Sequence, residues 1–206
     1  MTREASPKPA PSQFSKPVMP SSSSRNRIPA RAPRAATAET PLEFQNRQRD
    51  RRLNLPRLRR IIRCLLDEML PSVRYELCFH FVSPLEMSRI NWQFLRHKGS
   101  TDVITFDHHE PTGSGGHPSE NLHGEAFICV ADAVRQAREF NTTWPSELVR
   151  YVVHALLHLR GYDDLQPAAR RVMKREENRL VSQLAGRFDF AALEREAARS
   201  GRGDRT

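Results

Sequence analysis

The sequence predicts an α+β fold: a single mixed β-sheet of about four strands with helices packed on it, and a metal site on a central helix. Three observations carry this prediction. Segments of alternating and of helical apolar spacing follow one another in the order β-α-β-α-β-β-α-α-α, mixing strands and helices early and ending in helices. Strict alternation over Val73 to Val82 marks a strand with one face inward. A late helical stretch carries two histidines four residues apart, and a glycine follows it at once.

In chain order, residues 1–42 hold 8 of the 15 prolines, the Ser21–Ser24 run, seven Lys/Arg and two Glu. Such a segment buries too little apolar surface to offset the cost of ordering, so a disordered Pro/Ser/Arg-rich extension is expected there. A dispensable tail, an RNA-attracting arm and an organelle transit peptide all fit this composition. The folded domain is expected over residues 43–185, opening with an edge strand in 43–50. Leu55 to Leu70 reads as a helix, with Pro56 in its first turn and Leu58, Ile61, Ile62, Leu65, Leu66 and Met69 at helical spacing. Arg57, Arg59, Arg60 and Arg63 decorate its other side and read as a solvated face ahead of a phosphate-facing patch.

Along the strand, Val73, Tyr75, Leu77, Phe79 and Phe81 alternate with Arg74, Glu76, Cys78 and His80. Ser83, Pro84 and Glu86 form a helix start, and that helix is expected to run to about Leu95. Arg96-His97-Lys98-Gly99 is a basic turn leading into a strand over Thr101 to Phe106. Asp107 to His123, with Gly113, Gly115 and Gly116, reads as a loop and a candidate mobile lid. His108, His109, His117 and His123 raise a second metal site, but their spacing is irregular and they are read as loop residues. Gly124 to Val130 is a short strand, Ala131 to Phe140 a helix, and Trp144-Pro145 opens the histidine helix. Gln166 to Leu184 is the last clear helix, with Val172, Met173, Leu180, Val181 and Leu184 expected inward. From Gly186 to Thr206 a charged, frayed tail is expected.

The net charge of +9 and pI near 10.3 favour an anionic partner such as nucleic acid. Cys64, Cys78 and Cys129 are an odd number inside apolar runs, so they read as buried thiols of a reducing compartment rather than a disulfide frame. No apolar stretch is long enough to span a bilayer, and no secretory h-region appears near the N-terminus. A cytoplasmic protein without a membrane partner is therefore expected.

The most informative stretch is His154-Ala-Leu-Leu-His158-Leu-Arg-Gly161-Tyr-Asp-Asp164. Histidines at i and i+4 point the same way from a helix. At roughly 100° per residue, Leu148, Val152, Leu156 and Leu159 form one stripe, widened by Val149, Val153 and Leu157 to about half the circumference. His154 and His158 fall on the other side with Glu147 and Tyr151, a strip that on its own reads as a wetted polar face. A left-handed glycine at 161 can bring Asp164 back beneath the histidines. Two imidazoles and one carboxylate with a position left open make a zinc site of the catalytic kind, whereas a structural site wants a fourth ligand that no nearby cysteine supplies.

Several segments together resemble the YbeY family of bacterial endoribonucleases and rRNA maturation factors. The family's His-Gly-x-Leu-His-Leu-x-Gly-Tyr-Asp-His run corresponds to His154–Asp164. Its Asn followed by a Thr-Asp/Asn-Val-Leu-Ser-Phe strand corresponds to Asn91 and Thr101–Phe106, and its Gly-Asp/Glu-Ile strand to Gly124-Glu125. The resemblance covers residues 43–185 in order and spacing. It implies one Zn²⁺ per chain on His154, His158 and Asp164, where a carboxylate replaces the family's third histidine and makes the ion a weaker Lewis acid. The family's arginine between these segments falls at Leu95 by counting, so its catalytic, phosphate-binding role is carried to the adjacent Arg96.

The implied function is a single-strand-specific, metal-dependent endoribonuclease. It would act in rRNA maturation (16S rRNA 3′-end processing) and ribosome quality control, with an rRNA precursor and the ribosome or its proteins as partners. The main rival is a zinc metalloprotease of the extended His-x-x-x-His-x-x-Gly-x-x-Asp type. Such proteases need Glu directly after the first histidine as general base, and that place is Ala155 here. A non-catalytic RNA-binding assembly factor is the third reading, since binding and cleavage require the same basic surfaces.

Overall fold

The computed structural model describes residues 41–69, 74–108 and 121–195. The expected extension over 1–42 therefore lies almost wholly outside the described residues, as do the glycine-rich part of the candidate lid and residues 196–206. In chain order the elements are β1 (Leu42–Asn46), α1 (Leu55–Met69), β2 (Arg74–Val82), α2 (Pro84–Ile90), β3 (Val103–Asp107), β4 (Asn121–Cys129), α3 (Val130–Glu139), α4 (Trp144–Leu159) and α5 (Pro167–Ala185). The strands form one four-stranded sheet in the order β1-β2-β4-β3. β1 and β4 both run parallel to β2, while β3 runs antiparallel to β4, so the sheet is mixed and the fold α+β.

Alternation along the strands gives the sheet two unlike faces. Leu77, Phe79 and Phe81 of β2 join Leu122, Ala126 and Ile128 of β4 in one core with α1 and α4. From α1 come Leu58, Ile61, Ile62, Leu65 and Leu66, all essentially inaccessible, each contributing about 1.5–3 kcal/mol of burial. On the opposite face Val82, Ile104, Phe106 and Cys129 pack with Met87 of α2 in a smaller cluster. That cluster covers only part of the face, and the remainder carries Glu76, Cys78, His80, His123 and Glu125.

Local chemistry explains the helix ends. The Ser83 hydroxyl accepts from the Glu86 N–H at 3.3 Å, with Pro84 in the first turn. The helix expected to reach Leu95 instead ends at Ile90 and continues as a π-helical segment, Asn91–Leu95. Asn91 is buried there and donates from its side-chain amide to the Gly99 carbonyl at 2.9 Å, and Arg96 closes the segment at φ 57°.

Four further readings are corrected. The polar strip of α4 is not wetted: apart from Ser146 and Arg150 every residue of the helix is buried, because the sheet, α3 and α5 enclose it. On α5 the buried stripe runs Met173, Glu177, Leu180, Val181, Leu184, and Val172, one position off it, is 45% exposed. Residues 186–195 are not frayed. Phe190 and Leu193 form a buried 3₁₀ turn against α1 and α4, and the segment pairs back onto Leu53 and Arg52. Of the three thiols only Cys129 is buried, while Cys64 and Cys78 are half-buried and all are free.

Candidate metal centre

Helix α4 is capped by Thr143, whose hydroxyl accepts from the Ser146 N–H, with Pro145 in the first turn. At its other end the Gly161 N–H donates to the His158 carbonyl at 2.9 Å and the Tyr162 N–H to the Leu157 carbonyl at 3.0 Å. That pair of bonds is the Schellman closure, and Gly161 at φ 86° supplies the left-handed residue it requires. The chain turns back, and the Arg170 Nε–H donates to the Asp164 carbonyl at 2.8 Å, fixing the return.

The turn brings the three expected residues together. His154 Nε2 and His158 Nε2 lie 3.0 Å apart, and Asp164 Oδ1 lies 3.9 Å from His158 Nε2. All three ligand atoms fall within 4.8 Å of one another, and all three residues are buried. Two nitrogens sharing a tetrahedral zinc ion sit roughly 3.3 Å apart for metal–nitrogen bonds of about 2.0–2.1 Å, close to the spacing here. Asp164 Oδ1 is buried without a hydrogen-bond partner. A buried, partnerless carboxylate oxygen aimed at paired imidazoles is costly unless a cation completes the set, so these residues fit a metal ion.

Each imidazole is held from behind. His154 Nδ1 is 3.0 Å from Glu177 Oε2, and His158 Nδ1 is 3.2 Å from the Tyr162 carbonyl. An ionised carboxylate and a carbonyl can only accept, so both Nδ1 atoms carry the proton and both Nε2 atoms turn lone pairs to the shared space. Glu177 is 3% exposed and also receives hydrogen bonds from Arg150 Nη1 at 2.6 Å and Lys174 Nζ at 2.7 Å. Burial pushes its carboxyl up, but the His154 hydrogen bond and the nearby positive charges outweigh this and bring it to about 2. Burial also raises the Asp164 carboxyl above its usual range, against the pull of His154 and Arg170. Tyr151 of the α4 strip and Asp102, just before β3, are both buried and both raised by burial, with Asp102 accepting from the Thr101 hydroxyl and the Val103 N–H.

Glu177 and Asp102 are the residues that sequence reasoning passes over. Glu177 did carry a signal: it stands four residues after Met173 and three before Leu180, a carboxylate on an apolar stripe. Arg96 is exposed, and its guanidinium lies 5.9 Å over the Trp92 ring. Ala155 is fully buried in the main core, so the position where a protease keeps its general base carries no group that takes a proton.

Fold and site together define an α+β protein whose central, enclosed helix presents a two-histidine, one-carboxylate ligand set. The family model described as Endoribonuclease YbeY matches residues 43–185, and the chain belongs to that family, which makes it an endoribonuclease. Among proteins of that name, the one from Salinibacter ruber is 34% identical over 145 residues, covering 70% of this chain and 92% of that protein. The one from Chlorobium luteolum is 44% identical over 96 residues, covering 47% and 64% respectively. A solution structure of a Thermotoga maritima protein shares the fold, with a TM-score of 0.52 at 23% identity over 78% of this chain and 99% of that one. Among the described residues no helix is long and apolar enough to cross a membrane.

Proposed function

We propose that this endoribonuclease is metal-dependent, cuts single-stranded RNA, and acts in the cytoplasm on rRNA precursors. On this reading it trims the 3′ end of 16S rRNA and serves ribosome quality control in contact with the ribosome. The observation that carries the metal dependence is the buried, partnerless Asp164 Oδ1 facing two imidazoles held in the ligating tautomer. His154, His158 and Asp164 would hold one divalent ion, zinc by its preference for this ligand set. Bound there, the ion supplies Lewis acidity to a phosphate oxygen and to water.

The chain's own groups do the rest. Glu177 and the Tyr162 carbonyl orient the histidines, and all three ligand residues are buried. We assign Arg96 the binding of RNA phosphate. Its place over the exposed Trp92 ring, with Arg89 and Lys98 also exposed, supports this, because single strands are held by aromatic stacking beside positive charge. Residues 1–42 serve as an electrostatic arm with a net charge of +5, seven basic minus two acidic residues.

Metal analysis paired with RNA cleavage tests this reading. Wild-type chain is expected to hold one ion at this cluster and to cut single-stranded RNA until a chelator is added, and His158→Ala to lose both properties. RNA cleavage by metal-free wild type at the same rate would refute metal dependence.

A further inference from the structure

The sheet face turned away from α4 carries a second histidine–carboxylate cluster. Gly124 faces Leu159 of α4, so its neighbours His123 and Glu125 project from the opposite face. The β3–β4 ladder pairs Asp107 with Gly124 and continues one step further, the His108 N–H donating to the His123 carbonyl at 2.9 Å. His108 and His123 are therefore cross-strand neighbours, and their ring centroids lie 5.4 Å apart. Two imidazoles sharing a tetrahedral ion have centroids roughly 5.2 Å apart, given metal–nitrogen bonds of about 2.0–2.1 Å.

Glu125, two residues along the same strand, places Oε1 3.7 Å from His108 Nε2 and Oε2 3.2 Å from His80 Nε2. His80 is 6% exposed and stacks on Phe127 at 4.2 Å, and its Nδ1 is buried without a hydrogen-bond partner. Donating Nε2–H to Glu125, the locked His80 ring holds one carboxylate oxygen and leaves the other beside His108. The recess has a volume of about 210 Å³ and is also lined by Glu43 and Glu76. In a chain of net charge +9 it is an acidic pocket, suited to a cation.

The geometry points to a second metal site, in which His108, His123 and Glu125 hold a divalent ion of the class that imidazole and carboxylate bind together, zinc or nickel, with His80 positioning the carboxylate. Among the described residues only the α4 cluster brings three ligand atoms within 4.8 Å. Here the His108 side chain is 39% exposed, which leaves it room to close on an ion beside the held Glu125 carboxylate. Such an ion ties β3 to β4 at the end of their ladder. This assignment stands apart from the endoribonuclease reading, since it uses none of the α4 residues.

Zinc titration of chelator-stripped full-length chain by calorimetry tests it. Wild type is expected to take up one ion more per chain than His108→Ala/His123→Ala, whose substitutions lie at the exposed ladder end. In a His158→Ala background the remaining uptake should vanish when His108→Ala/His123→Ala is added, which separates this site from the one on α4. His80→Phe, which keeps the stacking on Phe127 but frees Glu125, is expected to weaken this site by roughly 10–100-fold. Equal zinc uptake by wild type and His108→Ala/His123→Ala, at equal affinity, overturns the assignment.

Discussion

The two faces of the sheet carry the same kinds of side chain on different scaffolds. On α4 the histidines are one helical turn apart and buried, and each Nδ1 is held by an acceptor that turns Nε2 toward the shared ligand space. On the far face His108 and His123 meet across a ladder, and only the carboxylate between them and His80 is held from behind. The contrast teaches that preorganisation is set by the layer behind the ligands. Enclosure of α4 fixes ligand atoms before any ion arrives, whereas an open sheet face leaves rotamers to be ordered at the moment of binding, at a cost in affinity.

The largest expected effect breaks the enclosed site itself. His158→Ala should reduce RNA turnover on the order of 10³-fold, the size of losing several kcal/mol of Lewis-acid help. Cleavage assays beside metal analysis check this, and the sheet-face ion should survive the same substitution.

Next comes the layer behind the ligands. Glu177→Ala should weaken metal binding at α4 by roughly 10–100-fold, with Glu177→Gln at the lower end because its amide oxygen still accepts from His154. Acid stability reports the same residue. Its carboxyl sits at about 2 when folded against an ordinary value of 4.5, so its contribution is complete above about 4.5 and is lost as pH falls towards 2. The stability gap between wild type and Glu177→Gln, on the order of 3 kcal/mol, should close across that window in chemical denaturation of the metal-free chain.

The contact that joins the two faces is smaller in effect. A Cβ at Gly124 would meet Leu159 Cδ2 and the Phe106 carbonyl, each at 2.6 Å. Gly124→Ala should therefore cost about 1–3 kcal/mol, read as a lowered Tm, by pushing the end of α4 off β4. If Tm is unchanged, the helix is not seated as closely as this contact implies. A further test exchanges one ligand for another. Asp164→His should retain the α4 ion, while Asp164→Ala should lose affinity on the order of 10-fold or more. Unchanged binding by Asp164→Ala would shift the third ligand elsewhere.

Much of this protein was legible in local pattern. The helix over Leu55–Met69, the strand ending at Val82 and the Ser83 cap follow from spacing and capping chemistry that act within a few residues. The α4 cluster was legible for the same reason, since a helical turn and one left-handed glycine are enough to place His154, His158 and Asp164 together. What escaped depends on partners distant in the chain. The burial of Glu147 and Tyr151, the reach of Glu177 to His154 and the seating of Phe190 and Leu193 arise only when the sheet, α3, α5 and the C-terminal turn pack on α4. His108 and His123 looked irregular in sequence because their spacing is set by ladder register, which pairs residues 15 apart as immediate neighbours. Period and capping are properties of a short segment, whereas burial and cross-strand contact belong to the assembled layers, and only the tertiary structure decides them.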